Sequence, residues 1–283
     1  MPEVPDLESI RKFFNRSISG QTVQRVDTLI PVVIRVPRDE FVRLVTGDTL
    51  GEVHRHGKFL LFSLASGRIL VVNPMLTGRF SLVPPEAKKQ PRTCFVLALS
   101  GGLELRYADQ RVMGRVYLVT PETLDTVPQM ADSGPDVLSP ELTEAVFRQR
   151  IRRFSGQIKS ILVNHRFVAG IGNAYSDEIL WEARIHPYQK RTQLSDADIG
   201  RLYKATRDVL AWAEPIVAGK MAESLDYSEW REHLRVHRRG GQPCPRCGST
   251  ISEITAGQRI TSFCRTCQPL AAGQEIRTSL SRL

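Results

Sequence analysis

The stretch CPRCGSTISEITAGQRITSFCRTC, residues 244–267, has the spacing C-x2-C-x16-C-x2-C. Each C-x2-C pair sets two thiolates on one metal from a tight knuckle, and the residues between the pairs suit a short hairpin. Four sulfurs so arranged favour tetrahedral zinc over redox pairs or an iron–sulfur cluster. With Cys244, Cys247, Cys264 and Cys267 all bound, no coordination position stays open. The single zinc is therefore expected to be structural, replacing a core that so small a segment does not build. The remaining cysteine, Cys94, lies in the apolar run TCFVLAL and reads as a small buried hydrophobe. Gln258-Arg259-Ile260-Thr261 falls near the hairpin tip, where an arginine can clamp a phosphate with paired hydrogen bonds.

The finger lies in the most basic part of the chain. Residues 231–283 hold nine arginines against three glutamates, a net +6 out of the +9 carried by all 283 residues. Concentrated beside a metal module, this charge points to a DNA-facing end. No apolar run approaches the ~20 residues of a membrane span, and no amphipathic basic helix stands out. The first residues are acidic and lack the apolar stretch of a secretory signal, so a cytoplasmic location is expected.

Upstream, HRFVAGIGNAYSDEILWEARIHP (165–187) interrupts a helical pattern at Gly170 and Gly172. Asn173 is expected to cap a new helix, with Asp177 and Glu178 in its first turns. Helix, two-glycine turn and helix place backbone N–H groups and the Asn173 side chain where a phosphate can bind. A plain helix–helix turn in a core fits the segment equally well. Further helical patterns cover 151–165, 195–214 and 226–235, and Ser139-Pro140-Glu141 reads as an N-cap followed by proline at the first helical position.

Between residues 20 and 118 the pattern changes to short alternating runs: QTVQRVDTL, LGEVHRHG, KFLLFSL, RILVVN, CFVLALS, LELRYAD and GRVYLVT. A sandwich or barrel of antiparallel strands follows, preceded by one helix over 5–17 whose Leu7, Ile10, Phe13 and Phe14 share a face. The organisation read from the chain is α+β in two lobes. A β domain covers 1–120, a linker 121–138, a helical domain 139–235, the finger 236–270, and a tail 271–283 without strong pattern.

These pieces occur together with MPEVPDLE at 1–8, HGKFLLF at 56–62, NPMLTGRF at 73–80, YADQRVMGR at 107–115, GPDVLS at 134–139 and VAGIGNAYSDE at 168–178. In this order, with the finger, they resemble the formamidopyrimidine-DNA glycosylase and endonuclease VIII family of base-excision repair enzymes. The resemblance implies an N-terminal β-sandwich, a C-terminal helix–two-turn–helix module with a zinc finger, and damaged double-stranded DNA lying between the lobes. It implies removal of Met1, with Pro2 as the nucleophile and Glu3 as its acid/base partner. Asp6 stands where the family usually has glutamate, one methylene shorter, and Lys58 matches a hairpin lysine that contacts phosphates around the lesion. Asn173 and Arg259, with the Gly170/Gly172 turn, match the residues that grip the phosphates flanking a flipped nucleotide. Leu76, or Met75 if the register slips by one, would fill the vacated space. Arg111 would contact the orphaned base, and Met113 stands where an aromatic wedge is common. A monomer acting on nucleoid DNA is expected.

Two features of this likeness pull apart. DQRVMG resembles the purine-specific branch, whereas the short interval GKMAESLDYSEWREHLRVHRRGG lacks a Gly/Ser/Thr-rich loop and resembles the pyrimidine branch. Excision of formamidopyrimidines, 8-oxoguanine and oxidised pyrimidines are all compatible. A non-catalytic, structure-specific DNA-binding protein on the same scaffold is the alternative.

Overall fold

The computed structural model describes residues 1–221, 225, 230–256 and 259–270. The chain divides into two compact units, Met1–Ser133 with Trp212–Arg231, and Gly134–Ala211 with the chain from Glu232 onward.

The first unit opens with α1 (Val4–Ser17), then β1 (Val23–Thr28), α2 (Arg38–Val45), β2 (Leu50–His56), β3 (Phe59–Leu64), β4 (Ile69–Asn73), β5 (Gly78–Val83), β6 (Thr93–Leu99), β7 (Glu104–Asp109) and β8 (Arg115–Val119). They form two four-stranded antiparallel sheets, ordered β1-β6-β7-β5 and β2-β3-β4-β8. The seven runs expected as strands all form strands. Sequence reading missed β5, whose GRFSLV carries only two inward residues, Phe80 and Leu82, after a glycine, and α2, an eight-residue helix that buries only Phe41 and Val45.

One apolar core joins both sheets to α1. Phe14 meets Phe62 at 5.4 Å and Phe80 at 5.5 Å between ring centroids, and Phe80 and Phe95 pack on Tyr107 at 5.2 and 5.4 Å. Leu7 and Ile10 of α1 are fully buried in the same core. The helix start is thereby fixed, which a site on residues 2 and 3 requires. Val217, Met221 and Leu225 join this core too, and the Leu82 N–H donates to the Leu225 carbonyl at 3.1 Å. Apolar burial thus draws 212–231 into the first unit, although the sequence reads as one helical domain through 235.

The second unit contains α3 (Glu144–Ile151), α4 (Ile158–Leu162), α5 (Asn173–Ala183), the first part of α6 (Asp196–Lys220) and the hairpin β9 (Ile251–Ala256) and β10 (Arg259–Cys264). Ser139 does not cap α3. Its hydroxyl instead accepts the Glu141 N–H in a turn, and Thr143 caps the helix by accepting from Val146 at 3.3 Å. The helix expected over 151–165 is divided, because Gly156 adopts φ +101° between α3 and α4. Of the helix expected over 226–235, residues 226–229 lie outside the described residues and 230–235 are non-helical. The tail from 271 also lies outside them.

Tyr107 is the tightest point of the sandwich. A β-carbon at Gly78 would lie 2.3 Å from its hydroxyl and one at Gly114 only 2.0 Å, so both positions require glycine. The hydroxyl has no hydrogen-bond partner among the described residues. Burial, reinforced by the Asp109 charge, pushes its ionisation far above the usual tyrosine range. An unpaired buried hydroxyl costs roughly 1–3 kcal/mol. Tyr107→Phe is therefore expected to raise unfolding stability by about 1 kcal/mol in a urea titration; a loss of that size would contradict the account.

Candidate active site and metal centre

At the N-terminus, Pro2 and Glu3 are buried. Glu3 is the N-cap of α1 and Pro5 stands in the first turn, where a missing N–H costs nothing. Asp6, fully buried, accepts the Glu3 N–H at 2.8 Å. It also receives Arg231 through two parallel bonds, Nη1 to Oδ1 at 2.9 Å and Nη2 to Oδ2 at 2.8 Å. Arg231 Nη2 further donates to the Met1 carbonyl at 3.1 Å. Glu8 serves a different purpose. It binds Arg11 within α1 and Arg55 of β2 at 3.1 Å. Burial alone would raise its carboxyl, but the two arginines outweigh that and hold it below the usual range.

Lys58 sits at the tip of the β2–β3 hairpin. His56 pairs with Phe59, leaving Gly57-Lys58 as a two-residue loop, with Gly57 at φ +56° as such turns demand. Arg55 donates to the Gly57 carbonyl at 3.0 Å, so the arginine that grips Glu8 also braces this loop.

Met75, Leu76, Arg111 and Met113 occupy two loops that one carboxylate joins. Asp109, fully buried, accepts from the Thr77 hydroxyl and from the Arg111 N–H (3.2 Å) on Oδ1, and from the Gly114 N–H (2.6 Å) on Oδ2. The 73–78 turn, with Met75 at φ +49°, is thus locked to the 109–114 turn. Arg111 is exposed, Met113 is 38% exposed, and Met75 and Leu76 are half-buried.

In the second unit Gly170 takes φ +115°, and the cap of α5 is Gly172, in extended backbone. Asn173 is the first helical residue rather than the cap. Its Nδ2 donates to the Ile260 carbonyl at 2.8 Å, while its buried Oδ1 has no partner among the described residues. Asp177 and Glu178 are buried and act as anchors. Asp177 accepts from Lys159 Nζ (2.6 Å), His237 Nδ1 (2.7 Å) and the Ser262 N–H (3.1 Å). Glu178 accepts the N–H groups of Arg235, Val236 and His237 at 3.0, 2.9 and 2.9 Å, while burial pushes its carboxyl above the usual range. Lys159 also donates to the Ile260 carbonyl and the Thr261 hydroxyl, each at 2.9 Å. Both Asn173 and Lys159 therefore hold the carbonyl that follows Arg259, whose own side chain is exposed. Sequence reading missed Lys159, His237 and Arg231. Each is an ordinary basic residue until its distant carboxylate is known.

The four cysteine sulfurs lie within 4.8 Å of one another, with Cys247–Cys264 at 3.5 Å and Cys244–Cys267 at 3.9 Å. Zinc–sulfur bonds of ~2.3 Å in a tetrahedron require sulfurs about 3.8 Å apart, so the set fits zinc. The metal closes the base of the β9–β10 hairpin, in which Arg259 pairs with Ala256. The Trp181 indole N–H donates to Cys244 Sγ at 3.4 Å, and Arg246 stacks 3.9 Å above the Trp181 ring, tying the knuckle to α5.

Three family models match the chain: the formamidopyrimidine-DNA glycosylase N-terminal domain at 1–116, the formamidopyrimidine-DNA glycosylase H2TH domain at 133–224, and the zinc finger found in FPG and IleRS at 241–270. A formamidopyrimidine-DNA glycosylase of Symbiobacterium thermophilum is 36% identical over 278 residues, covering 96% of this chain and 91% of that protein. One from Pelotomaculum thermopropionicum is 34% identical over 273 residues, covering 95% and 99%. Among solved structures, Lactococcus lactis Fpg in complex with an abasic-site DNA superposes with a TM-score of 0.87 at 27% identity, covering 95% of this chain and all of that one.

Two outcomes follow from this geometry. Lys159→Met leaves the Asp177 charge without its ammonium partner and should cost about 3 kcal/mol of stability in a denaturant titration; a cost below about 1 kcal/mol would show the pair to be idle. Stripping zinc with a chelator should remove hydrogen-exchange protection from the β9–β10 amides while the sandwich strands keep theirs.

Proposed function

The chain belongs to the formamidopyrimidine-DNA glycosylase family, and from that premise we propose that it excises oxidised bases from double-stranded DNA and then cleaves the strand as an AP lyase. The observation that carries this reading is the built N-terminus: Pro2 and Glu3 are buried at the head of a core-anchored helix, and Asp6 holds the Glu3 amide.

The chemistry starts from an amine exposed by removal of Met1. An α-amino group titrates near ~8, against ~10.4 for lysine, so roughly a tenth is free base near neutral pH. The Pro2 lone pair attacks C1′ of the damaged nucleotide, and the C1′–N bond breaks as the base departs with a proton. Glu3 is the proposed acid/base group for sugar ring opening and for that proton. Because proline is a secondary amine, the product is an iminium ion, cationic without further protonation. It acidifies C2′–H. Loss of that proton expels the 3′ phosphate, and a second elimination can release the 5′ side.

Lys58, on its braced hairpin tip, is the proposed contact to phosphates near the lesion. Asn173 and Arg259 are the proposed grips on the flanking phosphates, sharing one support in the Ile260 carbonyl. Leu76 or Met75, Arg111 and Met113 lie on the two loops that Asp109 joins, as filling the space of an extruded nucleotide and meeting its orphaned partner would require. Zinc contributes no chemistry here; bound by its four cysteines, it holds the Arg259 hairpin. Among the described residues no helix is long and apolar enough to cross a membrane. We place the protein with nucleoid DNA in the cytoplasm, as a monomer. The conflicting lesion features point to broad specificity over formamidopyrimidines, 8-oxoguanine and oxidised pyrimidines.

Borohydride should trap a covalent protein–DNA complex on abasic DNA, and Pro2→Gly should slow trapping about tenfold or more with little change in affinity. No trapping by a chain with a confirmed free N-terminal proline would instead favour a non-catalytic DNA-binding protein. A panel of duplexes carrying each lesion, scored for excision and strand cleavage, assigns the substrate.

A further inference from the structure

We propose that Arg231 is a positioning residue for the N-terminal nucleophile, acting through Asp6 on the backbone of residues 1–3. The inference rests on Pro2 as the attacking group and concerns what keeps that group in place.

Asp6 Oδ2 is shared between two donors, the Glu3 N–H at 2.8 Å and Arg231 Nη2 at 2.8 Å, while Oδ1 takes Arg231 Nη1 at 2.9 Å. The carboxylate is fully buried, so its charge has to be met by protein. The paired N–H groups of a guanidinium match both its oxygens and fix its plane. That plane sets where Oδ2 presents its remaining lone pair, and hence where the Glu3 amide rests, one residue from the reacting nitrogen. Aspartate reaches one methylene less far than the glutamate common at this position. Here its charge is met by an arginine that arrives from 225 residues away in sequence.

The same guanidinium also comes close to the Pro2 nitrogen. Arg231 Nη2 lies 3.1 Å from the Met1 carbonyl oxygen. Bond lengths of 1.23 and 1.33 Å put that oxygen about 2.3 Å from the Pro2 nitrogen, so Nη2 is no more than about 5.4 Å from it. Removing Met1 takes away this acceptor, while the Asp6 bridge between Arg231 and the Glu3 amide does not depend on it. Arg231 is itself anchored: its Nη1 donates to the Trp230 carbonyl at 3.1 Å, and Trp230 packs against the sandwich core.

The test uses the full zinc-loaded chain with a confirmed free Pro2, in single-turnover borohydride trapping at saturating abasic duplex. Affinity is measured separately on a duplex carrying a reduced abasic-site analogue. Arg231→Met should lower the trapping rate constant about tenfold or more while changing affinity less than about threefold, because misplacing a reacting group by an ångström costs rate. Arg231→Lys keeps a cation but not the paired geometry, and should fall between; it also serves if Arg231→Met does not fold. Asp6→Asn with Arg231→Met should trap no more slowly than the slower single variant, since the two act as a unit. A rate within about twofold of the native chain in Arg231→Met, or in Arg231→Lys if only that variant folds, overturns the proposal. So do losses that multiply in the double variant. No trapping by the native chain overturns the role of Pro2, and this inference with it; native trapping that the Arg231 variant matches overturns this inference alone.

Discussion

A carboxylate withdrawn from water must find its charge answered within the protein, at a cost of several kcal/mol if it does not. Three fully or almost fully buried aspartates impose that constraint here, and each sits beside residues of the proposed site. Asp6 gathers Arg231 and the Glu3 amide at the chain start. Asp109 gathers a hydroxyl and two amides, and so joins two loops of the sandwich. Asp177 gathers a lysine, a histidine and an amide, and so fastens α5 to β10. Loops held this way have few alternatives, because any rearrangement strands a charge. Rigid loops suit the proposed chemistry, in which an extruded nucleotide is held against a short, fixed nucleophile.

The apolar framework serves the same end by a different route. The Phe14–Phe62–Phe80–Tyr107 cluster binds α1 to both sheets, and the glycines at 78 and 114 let strand ends approach the Tyr107 ring. Packing fixes the helix, and polar bonds then fix its first residues. The finger reverses that order: its few apolar residues gather round Trp181, and four sulfurs fix the rest.

Much of this was legible in the residues alone. The strand runs, α1, α5 and the four-cysteine spacing are local patterns, and local patterns survive in a sequence. The sequence locates the start of α5 to within one residue, but it offers Asn173 as the cap where the structure has Gly172, because asparagine is the usual cap and here its side chain is used across space on Ile260. Ser139 misled likewise, since a good cap in the wrong register makes a turn. What stayed hidden is non-local. Lys159 and Asp177 are 18 residues apart, Asp177 and His237 60, and Asp6 and Arg231 225, and no periodicity connects such pairs. The return of 212–231 to the first unit is hidden for the same reason: Val217, Met221 and Leu225 are ordinary apolar residues beyond the helix expected over 195–214, and only the core shows which unit they complete.

That return sets an order of events during synthesis. The first unit takes its last residues from Trp212–Arg231, so it is incomplete until most of the chain has been made. At about 5–20 residues per second, Arg231 joins the chain roughly 10–50 s after Pro2. For that interval the buried Asp6 lacks the guanidinium that later pairs with it, and the start of α1 is held by its apolar contacts alone.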